Sequence, residues 1–345
     1  MPTTSIDTFF ACSLIVSVAI VATVFAAGNL QTQIEAMSNV NNQDYLQTIA
    51  DNIVFSCGVP RDWGSTGLTP QSFGLSDSNS QHPFELDIDK ISRLSNQSDY
   101  RLSYPQIVEA SRLDVAFGIS VFQTLSIDIE PSGSETVGEF TSYSFVVRVA
   151  KDTMPVASDL HFYVTAPNYL ENATSATSNE GVANVSFQIP NSLTGSALLI
   201  VFARATVDAR MTSVQIYDFG HLSEEPQPNL TFLKLSPLNY SLAATSNSQE
   251  TSMTRALAFS FSYASNLTAT SNSTFEIPRF VEKSPTLLVI QGLNGTSSFA
   301  EWTTYPQLPY QTGADFSNSE KNVFEYLVTI QGTFYKLRLN LGGFA

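Results

Sequence analysis

The sequence predicts a mainly β protein in which a long N-terminal helix, first transmembrane and then amphipathic, is followed by β-sandwich modules. Three observations lead to this prediction. Residues 9–28 read FFACSLIVSVAIVATVFAAG, an apolar run without a charged residue. Apolar residues then recur every three or four positions up to Ile53, which is typical of an amphipathic helix. From residue 139 onward, short segments alternate apolar and polar residues, as half-buried strands do.

The composition favours a protein exposed at a cell surface. A chain of 345 residues can hold two or three domains, and its charged content of 14% is well below the usual quarter or so. The net charge of −15 argues against nucleic acid and anionic membrane surfaces as partners. The two cysteines, Cys12 and Cys57, give no disulfide framework and no metal-binding spacing, so we expect no metal and no cofactor. A large exported protein without disulfides also points to a prokaryotic surface.

Residues 1–56 are predicted to form a membrane anchor that continues into a stalk. About 20 apolar residues, each rising ~1.5 Å, cross the roughly 30 Å hydrocarbon layer of a bilayer. We therefore expect contact with lipid through residues 9–30, and we expect Gly58 and Pro60 to end the helix. The residues predicted to lie in the membrane include Phe9, Leu14, Ile15, Ile20, Val24 and Phe25.

Two features of this region leave alternatives open. Met1–Thr8 has no basic residue, which favours a permanent anchor, whereas the small residues 26–28 could serve as the cleavage site of a signal peptide. Small residues also recur at i, i+4 spacing, as in membrane helices that pack closely, although alanine is common in any membrane helix. These helix-packing candidates are Ser13, Ser17, Ala19, Thr23 and Ala27. They predict association with like or homologous membrane or surface subunits.

The bulk of the chain is predicted to lie outside the cell. Neither flank of the apolar run carries Lys or Arg, so the positive-inside rule does not orient it. The remainder of the chain contains N-x-S/T sequons, which are acceptor sites for N-glycosylation in exported proteins. They are Asn96, Asn172, Asn184, Asn229, Asn239, Asn266, Asn272 and Asn294.

Three regions follow the helix. Residues 57–138 predict a small α/β head, in which Ser103-Tyr104-Pro105 starts a helix. Residues 139–222 predict an Ig-like β-sandwich, because short strands separated by turns recur at about ten-residue spacing. Residues 223–345 predict a C-terminal β domain that begins after the linker Ser223–Pro228.

The order of motifs after the helix resembles a known family. The sequence runs FSCGVPRDWG at 55–64, FGL at 73–75 and KISRL at 90–94, followed by Tyr104. This G-x-P-x-x-W-G, F-G-L, K-x-x-x-L order, together with the apolar helix, resembles archaeal type IV pilin-like membrane proteins. The resemblance covers residues 1 to about 125, with the terminal hairpin at 324–341 as an open addition, and it implies a helix that anchors and assembles a β-rich head.

Residues 139–222 carry a second resemblance. The segments GVANVSF at 181–187 and TGSALLI at 194–200 resemble the Ig-like modules of prokaryotic surface proteins. On this interpretation the Ig-like module is an insertion in the pilin-like chain.

Candidate catalytic and metal-binding residues are few. The histidines, His82, His161 and His221, are predicted in a loop, on a strand and in a linker, where we expect solvent-facing structural roles. Motifs of hydrolases, zinc peptidases and nucleotide-binding proteins are absent from the sequence. Calcium binding and an exposed strand edge both explain the acidic clusters, and we favour the edge. These clusters consist of Glu85, Asp87 and Asp89, and of Asp128 and Glu130.

We therefore predict a non-enzymatic, membrane-anchored extracellular structural protein that assembles through its N-terminal helix. The alternative is a surface module that binds a solute, a glycan or another surface through loops such as Ser265–Thr274 or Tyr305–Tyr310. A surface hydrolase with dispersed catalytic residues is a third hypothesis. We expect Trp63, beside Arg61 and Asp62, to seat the helix end on the head rather than to bind a ligand.

Overall fold

The computed structural model describes residues 3–316 and 321–344, in two compact units, Met1–Asp51 and Asn52–Ala345. The helices are α1 Thr3–Phe55, α2 Trp63–Thr66, α3 Ile88–Ser92 and α4 Tyr104–Ser111. The strands, in chain order, are β1 Val115–Gln123, β2 Ser126–Val137, β3 Phe140–Lys151, β4 Met154–Pro155, β5 Ser158–Ala166, β6 Tyr169–Ala176, β7 Val182–Pro190, β8 Gly195–Ala205, β9 Thr212–His221, β10 Leu233–Leu238, β11 Ser241–Ser246, β12 Thr251–Phe259, β13 Ala264–Asn266, β14 Thr268–Ser271, β15 Thr274–Glu276, β16 Thr286–Asn294, β17 Ser297–Tyr305, β18 Thr312–Gly313, β19 Asn322–Ile330 and β20 Thr333–Phe344. The prediction of a mainly β protein is confirmed.

The long N-terminal helix is present as α1, which runs for 53 residues. Among the residues that the structure describes, no helix combines the length and the apolarity needed to cross a bilayer, so the span predicted over residues 9–30 is not found. The side chains of residues 29–42, which carry much of the predicted amphipathic stretch, lie outside the described residues. The helix ends before Gly58, whose φ of 72° is left-handed and incompatible with a continuing helix.

The helix predicted from Ser103-Tyr104-Pro105 is confirmed as α4. The Oε1 atom of Gln106 accepts a hydrogen bond from the Ser103 backbone N at 2.9 Å, and Pro105 lies in the first turn, where its missing N–H costs nothing. The helix ends at Arg112, whose φ is 52°.

The head contains an antiparallel sheet of strand order β18-β1-β20-β19. Strand β1 pairs with β20 along its length, from Val115 opposite Phe344 to Gln123 opposite Tyr335. One face of the pair is almost completely buried and consists of Phe117, Ile119, Val121, Leu337, Leu339 and Leu341. The terminal hairpin, predicted as part of a separate domain at 223–345, therefore belongs to the head sheet.

The first β-sandwich is formed by two sheets. In one sheet, β2 pairs with one edge of β3, and β7 and the short β4 pair with the opposite edge; the second sheet has the order β6-β5-β8-β9. The boundary predicted between residues 138 and 139 falls inside the β2–β3 hairpin, because β2 pairs with β3 from Ser126 to Val137. Ile127 and Ile129 of β2 enter the sandwich core, so the alternating side chains of this strand belong to the sandwich and not to the head.

The second β-sandwich pairs the sheets β10-β11-β15-β14 and β13-β12-β16-β17. Its core includes Leu235, Leu242, Phe275, Leu288 and Ile290. The segment Ser265–Thr274, predicted as a loop, contributes short strands to both sheets, although the side chains of Thr268–Ser271 are exposed.

The two sandwiches pack against each other through one face of each. Strand β8 is buried at every position except Arg204, because one of its faces lies in its own sandwich core and the other contacts the second sandwich. The contact joins Tyr163, Leu198, Ile200, Phe202 and Val214 to Leu257, Phe259, Phe261, Leu287, Val289 and Ala300. The linker Ser223–Pro228 thus connects two modules that share an apolar interface.

Candidate functional site

The predicted membrane residues are described in part. The large apolar side chains of α1 between Phe9 and Phe25 are 57–72% exposed, and they are Phe9, Phe10, Leu14, Val16, Val18, Ile20, Val21, Val24 and Phe25. The side chains of Ile15 and Ala27 lie outside the described residues. Exposed apolar side chains over four helical turns form a surface that water solvates poorly.

Two hydroxyls of the small-residue stripe, those of Ser17 and Thr23, form hydrogen bonds with backbone carbonyls of their own helix. The Ser17 hydroxyl donates to the Ser13 carbonyl at 2.9 Å, and the Thr23 hydroxyl donates to the carbonyls of Ala19 and Ile20. These hydroxyls therefore need no water to satisfy them. Ser17 lies with Val18, Val21 and Phe25 around a shallow apolar depression.

The motifs that resemble the pilin-like family converge on Trp63. Its side chain is completely buried, and its Nε1 donates to the Gly74 carbonyl at 3.1 Å. Phe73 contacts its ring, with ring centroids 5.7 Å apart. The Lys90 Nζ and the Arg93 guanidinium lie 5.8 and 5.5 Å from the ring centroid, which is cation–π distance. Trp63 is therefore the centre of a buried structural cluster.

The cationic groups of Lys90 and Arg93 donate hydrogen bonds to backbone carbonyls. The Lys90 Nζ donates to the carbonyls of Cys57 at 3.0 Å and Ser76 at 2.7 Å, and burial lowers the pKa of this fully buried amine. The Arg93 guanidinium donates to the carbonyls of Trp63, Gly67, Leu68 and Tyr100. These two side chains join the loop after α1 to α3, so Lys90 of the K-x-x-x-L motif is in direct contact with the tryptophan motif.

The glycines of the motifs allow the backbone to approach closely. A Cβ at Gly74 would lie 2.3 Å from the Ser56 carbonyl oxygen, and a Cβ at Gly64 would lie 2.7 Å from the Lys90 backbone N. Neither position admits a larger residue without movement of the backbone. The close packing of these glycines thus explains the spacing of the motif. Trp63 has the packing role expected for it, and its buried side chain offers no surface to a ligand.

Of the acidic residues predicted on a strand edge, Asp87 and Asp89 lie at the start of the short helix α3, whereas Glu85 forms an isolated β-bridge with Thr329. Asp87 caps α3, where its Oδ1 accepts from the backbone N of Asp89 at 2.9 Å and of Lys90 at 3.0 Å. Asp89 is buried and accepts from the Tyr305 hydroxyl at 2.6 Å and the Asn239 backbone N at 2.8 Å. Burial raises the pKa of both carboxyl groups. In the described part of the chain, no group of three His, Cys, Asp or Glu residues is placed to hold a metal ion.

The second acidic pair is on a strand edge, as predicted. Asp128 and Glu130 project outward from β2, and Arg148 forms ion pairs with both carboxylates. These exposed pairs have ordinary surface electrostatics and contribute little to stability.

The three histidines lie on different elements. His82 is exposed in a loop, and His161 lies half-buried on β5 with its ring stacked on Tyr163 at 4.7 Å. His221, predicted to face solvent in the linker, is instead fully buried, where the Tyr143 hydroxyl at 2.9 Å and the Pro190 carbonyl at 3.1 Å contact its ring nitrogens. Its burial follows from β9 extending to residue 221.

Stability is expected to fall as the pH drops below about 6.5 because of His161. Burial against Tyr163 and Phe261 lowers the pKa of the imidazole, Asn172 and Glu282 oppose this only in part, and its Nε2 lacks a hydrogen-bond partner among the described residues. Between the folded pKa and the ordinary value the unfolded chain binds more protons, so acid favours unfolding. Urea denaturation at about pH 7.5 and about pH 5.5 measures the change.

The matched comparison for this pH dependence is His161→Phe against His82→Phe. The first variant is expected to lose the stability difference that depends on His161, and the second, at an exposed loop position, is expected to keep it. Equal pH dependence of the wild-type chain and His161→Phe would contradict the assignment.

Six of the eight sequon asparagines are exposed: Asn96, Asn172, Asn184, Asn239, Asn266 and Asn272. Asn294 and Asn229 are half-buried.

The side chain of Asn229 holds the end of the linker. Its amide forms two hydrogen bonds with the backbone of Trp302: the Nδ2 donates to the carbonyl and the Oδ1 accepts from the N–H, at 2.9 Å each. The adjacent Glu301 carboxylate, whose pKa is raised by burial, accepts from the backbone N of Leu230 and Phe232. Asn229 thus holds the linker end on β17.

The Tyr305–Tyr310 stretch, predicted as an exposed loop, is buried at its first residue and exposed at its last. Tyr305 is buried and donates to Asp89, whereas Tyr310 is 79% exposed and contacts Phe122. Cys57 is half-buried in the loop that follows α1, and its carbonyl accepts from Lys90. In these residues we find packing and capping contacts rather than a catalytic arrangement.

The chain is similar to several solved structures with β-sandwich domains. No protein-family model and no curated protein matches this chain. Among solved structures, HBP35 of Porphyromonas gingivalis is 11% identical over 53% of this chain and 63% of its own length, with a TM-score of 0.19. A two-domain fibronectin type III segment from chicken tenascin is 8% identical over 51% of this chain and 96% of its own, with a TM-score of 0.18. The FN1–FN3 domains of chicken CNTN1 are 7% identical over 51% of this chain and 65% of their own, with a TM-score of 0.19.

These likenesses are too weak to support an argument about function. The chain spans less than two thirds of the HBP35 structure. The β-sandwich architecture therefore rests on the strand pairings described above.

Proposed function

We propose that this chain is a non-enzymatic surface protein of the pilin-like type, attached to the cell membrane by the N-terminal part of α1, with its β modules displayed outside the cell. The observation that carries the proposal is the set of nine large apolar side chains described between Phe9 and Phe25, each more than half exposed. At roughly 25 cal/mol per Å² of apolar surface, transfer of these side chains into lipid is strongly favourable.

The second support is the absence of charge around these side chains. No charged residue occurs between Asp7 and Glu35, so burial of the helix surface in lipid desolvates no ion. The hydroxyls of Ser17 and Thr23 are bonded to carbonyls of their own helix, which removes the main polar cost of insertion.

Assembly through the same helix is part of the proposal. The Ser13–Ser17 and Ala19–Thr23 positions offer small side chains at i, i+4 spacing, which lets a second helix approach closely in lipid. The expected partner is a like or homologous membrane subunit. The alternative function, binding of a ligand by the β modules, has separate support in the groove described below.

Membrane attachment is tested with the full chain in liposomes. The triple substitution Leu14→Asp, Val18→Asp, Val21→Asp is expected to abolish co-flotation with vesicles, because each charge costs about 2–4 kcal/mol at the bilayer centre. The matched control is Val137→Asp, Met154→Asp, Val207→Asp, which places the same three charges at exposed positions of the first sandwich. Flotation of the helix variant with the vesicles, or equal loss in both variants, would refute attachment through α1.

A further inference from the structure

The loop between β15 and β16 presents an apolar side chain at a fixed position. Val281, at its tip, is fully exposed. The next residue anchors the loop, because the Glu282 carboxylate accepts from the Arg204 Nη2 at 2.8 Å and from the Ser262 backbone N at 2.8 Å. The Ser284 hydroxyl also accepts from the Phe261 backbone N at 3.0 Å. The tip is therefore held in place by the β-sandwich beneath it.

An aromatic surface lies beside this tip. The rings of Tyr263 and Phe280 are nearly parallel, with an interplanar angle of 13° and centroids 6.3 Å apart, and Tyr263 is 57% exposed. Together with Arg279, Val281 and Glu282 they line an open groove of about 600 Å³. This volume lies within the range of sites for small ligands.

Arg279, one of the residues that line this groove, carries a positive charge. Its guanidinium carbon lies 4.2 Å from the centroid of the Tyr240 ring, which fixes the group by stacking. Among the described residues, no carboxylate lies within ion-pair distance of it, although the chain has 31 acidic and 16 basic residues. Arg279 also lines a neighbouring cavity of about 240 Å³, together with Tyr240, Lys283 and Gln331.

We propose that the Tyr263–Arg279 groove, formed by Tyr263, Arg279, Phe280 and Val281, binds an acidic saccharide. A sugar ring has a flat C–H face that packs on an aromatic ring, and its carboxylate matches the paired N–H donors of a guanidinium. The groove is open and shallow enough to admit a ring from the surface. This site adds a binding activity to the proposed surface display and does not depend on membrane attachment.

The charge of the chain favours a saccharide over an acidic peptide. A net charge of −15 repels a polyacidic peptide, whereas a single carboxylate needs only one local cation. Glu282 already accepts hydrogen bonds from Arg204, Ser260 and Ser262, so its charge is balanced and does not oppose the ligand carboxylate. The aromatic face supplies contact area that is independent of charge.

The test uses isothermal titration of the detergent-solubilised full chain with galacturonic acid, which carries one carboxylate, and, as a neutral match, with galactose. We expect saturable binding of the uronic acid, weakened about tenfold or more by Arg279→Gln, with little change in binding of the neutral sugar. Tyr263→Ala is expected to abolish binding of both sugars. Circular dichroism spectra of the variants confirm that they fold.

The matched controls are Tyr310→Ala and Arg61→Gln. They remove a tyrosine and an arginine side chain at exposed positions outside the residues that line the groove. Both are expected to bind the uronic acid as the wild-type chain does. The proposal is overturned by absence of saturable binding up to about 10 mM. It is also overturned by unchanged binding in Arg279→Gln, or by tighter binding of an oligo-glutamate peptide than of the uronic acid.

Discussion

Replacement of Lys90 by Met is expected to lower the free energy of unfolding by about 2–4 kcal/mol. The Met side chain fills a similar volume but leaves the buried carbonyls of Cys57 and Ser76 without donors, and each unsatisfied buried acceptor costs about 1–3 kcal/mol. The substitution also removes the cation over Trp63. Relief of the desolvation that lowers the Lys90 pKa offsets part of this loss. Urea denaturation followed by near-UV circular dichroism measures the difference.

The matched control is Lys234→Met. Lys234 forms a surface ion pair with Asp99 at 2.6 Å, with both side chains more than a third exposed, so its loss is expected to cost less than about 1 kcal/mol. If Lys90→Met were as stable as Lys234→Met, the Trp63 cluster would not be the structural centre of the head.

Truncation of Phe202 to Ala is expected to destabilise the chain by about 3–5 kcal/mol and to loosen the contact between the two sandwiches. Phe202 lies on the face of β8 that packs against the second sandwich, with its ring 6.1 Å from Tyr163. Loss of this ring leaves a cavity between the modules. Cleavage by a glutamate-specific protease at Glu224 or Glu225, in the exposed linker, is expected to become faster.

Val201→Ala is the informative comparison, because this neighbour on β8 points into the core of the first sandwich instead. It is expected to destabilise that sandwich without accelerating cleavage of the linker under native conditions. Equal cleavage rates in both variants would show that the linker does not report on the sandwich contact.

The sequence predicts well those features that depend on neighbouring residues. Alternation in residues 183–189 predicts the one-sided burial of β7, and the order of serine and proline at 103–105 predicts the start of α4. The burial of Trp63 also agrees with its expected packing role. In each case the local pattern and the tertiary environment favour the same conformation.

The sequence predicts poorly the features that depend on distant pairing. Strand β1 pairs with β20, which follows it by more than two hundred residues, and no local pattern specifies this partner. The continuous apolar run ALLIVFA at 197–203 was a signal of a strand buried on both faces, because such strands do not alternate. Recognition of that signal would have predicted that the two sandwiches pack together.

The sequence also does not predict the groove beside Val281. Tyr263 is separated from the adjacent residues Arg279 and Phe280 by turns and the short strands β13, β14 and β15, and none of the three belongs to a recognisable motif. Burial on folding brings Arg279 onto Tyr240, which lies about forty residues earlier in the chain. The loops that the sequence did suggest, 265–274 and 305–310, are largely used for strand pairing or core contacts.

The central claim, attachment through α1, is tested most directly by mass spectrometry of the protein purified from native membranes. We predict that the mature chain retains residues 9–25, with its first residue at or before Phe9, and that it stays with the membrane after an alkaline carbonate wash. A mature chain that begins near Ala27 would contradict attachment through this helix, as would quantitative release of the intact chain by the wash.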